Sequence, residues 1–89
     1  MKRCILDGAT LPDATAVYRQ LAKDLQLPAH FGNNPDALWD ALGDQRGELV
    51  EIIWRDAARA AALLGQRFDD IVAVLERAAA AGRVILRLA

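Results

Sequence analysis

The side chains with the most chemistry fall within one stretch, HFGNNPDALWDAL (30–42). They are His30, Asp36, Trp39 and Asp40, with Asp44 just beyond. Two carboxylates four residues apart can move protons as general acid and base. Together with His30 they can ligate a divalent cation, although two carboxylates and a loop histidine make a weak ligand set. Unreacting, they can present negative charge to a basic surface, with the tryptophan beside them adding contact area. A solvated acidic face with no partner fits the same residues.

Reaction chemistry finds little further support. His30 is the single histidine and the chain has no serine, so a Ser-His-acid triad is absent. The stretch GDQRGE (43–48) lacks the lysine-hydroxyl ending of a phosphate-cradling loop. No basic stripe with interleaved aromatics marks an RNA-binding face. The expectation is a protein without catalytic residues, metal or cofactor.

A helix must carry the acids. At about 100° per residue, Asp40 returns to within about 40° of Asp36, and Asp44 lies about 40° further. Leu38, Ala41 and Leu42 fall on the other side and form the buried stripe, with Trp39 on the flank between core and acids. Carboxylates one turn apart repel by about 0.2–0.5 kcal/mol. Asp36 sits near the positive end of the helix dipole, but Asp44 sits near the negative end. Stability alone does not call for this row. The glycine-asparagine loop and the flanking tryptophan favour a binding role.

The chain positions this helix with recognisable signals. Asn34 followed by Pro35 is a capping side chain and then a proline at the first helical position. Gly43 is expected to end the helix after Leu42, and Gly32 to permit unusual backbone angles before it. A strand is predicted over 2–8. A helix follows, capped by Asp13, with Ala14, Val17, Tyr18, Leu21, Ala22 and Leu25 on its inner face. A strand is predicted over 48–54, helices over 56–65 and 68–82, and a last strand over 83–89. Phe68, Ile71, Val72, Leu75, Ala78 and Ala79 form the inner stripe of the longest helix, which Gly82 stops. The order β-α-α-β-α-α-β predicts an α/β fold with a parallel sheet. The strands read as near-continuously apolar, as expected under a cover of helices.

The whole chain of 89 residues reads as one domain, 1–89. No apolar run approaches the roughly 18 residues that span a bilayer. The start MKRCILDG is too weakly apolar for a signal peptide, so a cytoplasmic location is expected. Cys4 is the single cysteine, which rules out an internal disulfide and a cysteine zinc site. Net charge is −1, but residues 30–48 hold Asp36, Asp40, Asp44 and Glu48 against Arg46, and the remainder sums to the opposite sign. Local acidity points to a basic protein partner and away from nucleic acid.

The stretch LPAHFGNNPDALWDAL (27–42) resembles the signature of the barstar family, small bacterial inhibitors of secreted guanyl-specific ribonucleases. IIWR (52–55) and LERAAAAG (75–82) extend the likeness over nearly the whole chain. The resemblance implies a barstar-like fold, three parallel strands covered by four helices. It also implies that the second helix and its preceding loop plug a ribonuclease active site in a 1:1 complex, the free protein being a monomer. By the same resemblance, Asp40 would stand in for the substrate phosphate among the enzyme's cations. Asp36 would pair with a basic residue at the rim. Trp39, Gly32 and Asn34 would supply contact surface, and His30, Pro35, Gly43 and Asp44 complete the expected partner-binding set.

The sequence also departs from that pattern. His30 stands where the family has tyrosine and Pro35 where it has leucine. Arg77 replaces a glutamate that reaches the enzyme, and DQRG (44–47) replaces an interface tryptophan. A different cognate ribonuclease, secreted or part of a toxin, or a weaker fit to the family's usual ribonuclease is therefore expected. The alternative is a non-inhibitory interaction module, or an antitoxin-like immunity protein for another basic partner.

Overall fold

The computed structural model describes residues 1–45 and 47–89; Arg46, counted above in the local charge, lies outside them. The elements in chain order are β1 (Lys2–Asp7), α1 (Ala14–Leu25), α2 (Pro35–Gly43), β2 (Val50–Arg55), α3 (Ala57–Leu64), α4 (Gln66–Ala80) and β3 (Val84–Leu88). The three strands form one parallel sheet in the order β1-β2-β3. Each crossover holds two helices, which gives the chain the length it needs to return and start the next strand in the same direction.

One face of the sheet meets the helices. Cys4 and Leu6 of β1, Val50, Ile52 and Trp54 of β2, and Val84 of β3 point into a core shared with Leu21, Leu25, Leu38, Leu42, Ile71 and Leu75. Tyr18 joins it, as its helical spacing predicts. Burial pushes the Cys4 thiol well above its usual range, and Asp24 pushes it further. The Tyr18 hydroxyl is also raised, first by burial and then by Asp70, against the opposing pull of Arg67.

The other face corrects the reading of the strands as continuously apolar. Burial alternates along them: Arg3, Arg55, Ile85 and Arg87 are exposed, and Ile5 and Ile53 are half-buried. Glu51 sits across this face with its carboxylate between Arg3, at 2.7 Å, and Arg87, at 3.5 Å.

Caps and breaks set the element ends. The Asp13 side chain accepts from the Ala16 amide at 2.8 Å and starts α1. Gly65, at φ 58 and ψ −129, turns the chain from α3 directly into α4, which begins two residues before its predicted start. Gly82, at φ 75, ends the turn after α4 as its position predicts. Helix α2 packs on α4, while α1 lies on β1 and α4 on β3. Lys2 Nζ donates to the Leu25 carbonyl at 3.0 Å and to Gln45 Oε1 at 2.8 Å. That lysine ties the end of α1 to the chain leaving α2, so the exit of the acidic helix is held.

Candidate functional site

Helix α2 begins as its sequence requires. Asn34 is extended, at φ −150, and its Oδ1 accepts from the Ala37 amide at 2.8 Å. Its own amide donates to the Gly32 carbonyl at 2.8 Å, which closes the loop against the helix start. Pro35 occupies the first helical position and is half-buried. Leu38, Ala41 and Leu42 are buried, and Asp36, Asp40 and Asp44 are exposed. The predicted row of acids therefore stands on the solvent side, anchored by its own apolar stripe.

Two glycine readings change. Gly32 does not take a positive φ. A side chain there would crowd the Asn34 amide group, its Cβ lying 3.1 Å from Nδ2, so the residue is small for room and not for backbone angle. Gly43 does not stop the helix; it is its last residue, and Asp44 is the cap, at φ −88. A Cβ on Gly43 would lie 2.9 Å from Arg83 Nη1. The missing side chain lets the Arg83 guanidinium lie against the helix.

The acidic row separates two hollows. On the loop side, His30, Phe31, Gly32, Ala37, Asp40, Ala41 and Asp44 line a groove of about 390 Å³ together with residues 26–28 and Gln45. Phe31 forms part of its floor, with its ring centroid 6.3 Å from that of Tyr18. On the α4 side, a second hollow is lined by Trp39, Asp40, Gly43, Asp44 and Arg83. Asp40 and Asp44 belong to both, so they form the ridge between them. Asp36 stands on the same helix face but lines neither hollow.

Trp39 is half-buried and packs on the core. The guanidinium carbon of Arg77 lies 4.4 Å from its ring centroid and that of Arg83 lies 4.2 Å from it. Both are cation–π distances. The sequence reading singled out Arg77 but not Arg83. The signal for Arg83 is a glycine on α2 whose space a distant cation fills, and only the folded chain shows it.

Among the described residues, no three His, Cys, Asp or Glu side chains gather to hold a metal ion. His30, Asp36 and Asp40 are thus not a ligand cluster. None of Asp36, Asp40 and Asp44 forms an ion pair among the described residues. Carboxylates that stand unpaired among the described residues, above an apolar stripe and beside a groove, can meet cations from outside the chain. Among the described residues, no helix is long and apolar enough to cross a membrane.

Residues 1–86 match the model of the family described as "Barstar (barnase inhibitor)". The chain is also similar to a Bacillus subtilis (strain 168) protein named "Putative ribonuclease inhibitor YrdF". The two are 27% identical over 78 residues, which cover 88% of this chain and 86% of that protein.

Proposed function

The chain belongs to the barstar family, whose members are inhibitors and not enzymes, and on that premise we propose that it blocks the active site of a small, basic, guanyl-specific microbial ribonuclease. The enzyme, secreted or carried by a toxin, would be bound one to one by a monomeric inhibitor. The protein would act in the cytoplasm, protecting the cell that makes the nuclease.

In this reading, a ribonuclease that binds RNA must line its cleft with cations. The exposed row on α2 offers carboxylates where RNA would offer phosphates. Asp40 enters the cleft and takes the catalytic cations, and Asp36 meets a basic residue at its rim. The groove lined by His30, Gly32 and Asp44 receives a side chain of the enzyme. Trp39 and Gly43 supply surface on the other flank, and Asn34 and Pro35 hold the start of the helix in place.

The observation that carries this proposal is the position of Asp40. It lies mid-helix and exposed, on the ridge shared by both hollows. Among the described residues no cation pairs with it, and its repulsion with Asp36 and Asp44, one turn away on each side, would be relieved by a cationic cleft. Opposite charge on the two surfaces also speeds their encounter.

The test is RNA cleavage by a panel of small microbial ribonucleases, titrated with this protein and with its Asp40→Ala variant. The parent is expected to inhibit at least one enzyme stoichiometrically. The variant should lose about 3–5 kcal/mol of affinity, since an enzyme cation buried at the interface would be left without its partner. Its urea midpoint should not fall, since the substitution also removes the repulsion with Asp36 and Asp44. Equal inhibition by the variant, or an equal loss of stability, would overturn the assignment.

A further inference from the structure

We propose that Arg77 and Arg83, both held against the Trp39 ring, form a receptor for a carboxylate of the bound ribonuclease, so that the cognate enzyme carries an aspartate or glutamate at the rim of its basic cleft. The inference rests on the inhibitor reading above, and it concerns the flank of α2 that faces α4.

Three observations carry it. Both guanidinium carbons sit within 4.4 Å of one indole centroid, so two positive charges are held within twice that distance of each other. Neither arginine forms an ion pair or a side-chain hydrogen bond among the described residues. Asp40 and Asp44 share a hollow with Arg83 but stay outside ion-pair range of it. Glu76, next to Arg77 in sequence, projects about 100° away around the helix.

The same chain shows what such a pair looks like when complete. On the open face of the sheet, Arg3 and Arg87 share one acid, Glu51, at 2.7 and 3.5 Å. The pair on Trp39 has the two cations and lacks the acid. Arg77 is exposed and Arg83 is half-buried, so the missing group can enter from solvent. Gly43 keeps the space into which Arg83 folds. The planar guanidinium favours a carboxylate through paired N–H donors. The indole fixes where those donors stand, which lowers the entropy lost on binding.

A protein carboxylate fits this position better than an RNA phosphate, because the adjoining Asp40 and Asp44 would repel a polyanion along its length. A single acid at the edge of a basic cleft meets the arginines while its neighbouring cations meet the aspartates. The surface selects partners by this alternation, and it rejects a ribonuclease with a lysine or arginine at that rim position.

The experiment compares inhibition constants for a panel of small guanyl-specific ribonucleases chosen to carry either acidic or basic residues around the cleft. The inhibitors are the parent, Asp40→Ala, Arg77→Gln/Arg83→Gln and Arg77→Glu. The parent should act best on enzymes with an acidic rim. The double glutamine variant should weaken that inhibition by tenfold or more, and Arg77→Glu should shift preference toward basic-rim enzymes. Thermal unfolding of each variant separates lost binding from lost folding. If both arginine variants, folded, match the parent on every enzyme it inhibits while Asp40→Ala does not, the carboxylate receptor is wrong and the inhibitor reading stands. If the parent inhibits none, both fall. If the parent binds single-stranded RNA and the double glutamine variant does not, the pair belongs to phosphates and the proposal is overturned.

Discussion

Replacing Asn34 by alanine tests how the acidic helix is held. The Asn34 Oδ1 accepts from the Ala37 amide at 2.8 Å, and its carbonyl accepts from the Leu38 amide at 3.0 Å. Removing the side chain leaves the Ala37 amide to water, at a cost of about 1 kcal/mol. For a chain of this size that lowers the midpoint of thermal unfolding by about 4–8 °C. The cost should concentrate locally. Leu38 is fully buried and pins the second turn, so fraying stops there. Hydrogen exchange should then quicken at Ala37 and, by about fivefold, at Leu38. Amides of α4 should change only as much as global stability does. Inhibition should weaken by no more than about fivefold, because the first turn carries Asp36 while Asp40 lies beyond the pin. Asn34→Ser keeps a capping oxygen and should stay close to the parent in both assays. Two results would refute this reasoning. If Asn34→Ala unfolds like the parent, the cap does not hold the helix. If Asn34→Ser keeps its stability but loses inhibition far beyond fivefold, Asn34 touches the enzyme itself and is not merely a positioning residue.

Two further predictions concern the frame. The thiol of an unfolded chain ionises near pH 8.5, but burial raises that of Cys4. The folded state therefore binds the proton more tightly. Its stability is complete below about pH 8.5 and falls above it, by at most about 1.4 kcal/mol per pH unit. Urea midpoints of Cys4→Ala between pH 8 and 10 should lack this slope; equal slopes would refute it. Gly8 lies where a Cβ would strike the Asp56 carbonyl and approach the Arg55 carbonyl at 3.0 Å. Both are backbone atoms, so Gly8→Ala should cost about 1–3 kcal/mol in urea unfolding, and an unchanged midpoint would mean that the β1 exit yields more easily than its contacts indicate.

What the sequence made legible was local. The 3.6-residue period placed Leu38, Ala41 and Leu42 inside and the acids outside, because that period follows from helix geometry alone. Asn34-Pro35 marked the start of α2 for the same reason: cap and proline act within one turn. The element order β-α-α-β-α-α-β and the parallel sheet followed from strand and helix signals separated by long crossovers. What was hidden depended on distant chain. Gly43 read as a helix stop because glycine commonly is one; its actual task is set by Arg83, forty residues on. Gly32 read as a site of unusual backbone angles, whereas it takes no positive φ and its smallness matters for the space beside the Asn34 amide. Ile5 and Ile53 made the strands look covered on both faces, and only the placement of the helices leaves them half-open among Arg3, Arg55 and Arg87.

The layout of α2 bears on how a partner would be oriented. From Asp36 to Asp44 the row runs about 12 Å along the helix. The screening length at physiological salt is about 8 Å. With a net charge of −1, the whole molecule exerts little pull at longer range, so steering of the proposed partner would come from the row and act in the last ångströms of approach. A row of like charges by itself would accept a basic cleft turned either way about the contact normal. The two flanks of the row remove that ambiguity. One is the groove beside His30 and Phe31, with apolar walls at Ala37 and Ala41. The other is Trp39 with its two guanidinium groups. A partner turned by half a revolution would bring its side chain for the groove against cations and its acid against the apolar wall, and both contacts would be lost. In the proposed complex the carboxylates would thus supply attraction, and the unlike flanks would supply the single orientation. An inhibitor that must act before its nuclease reaches RNA needs both.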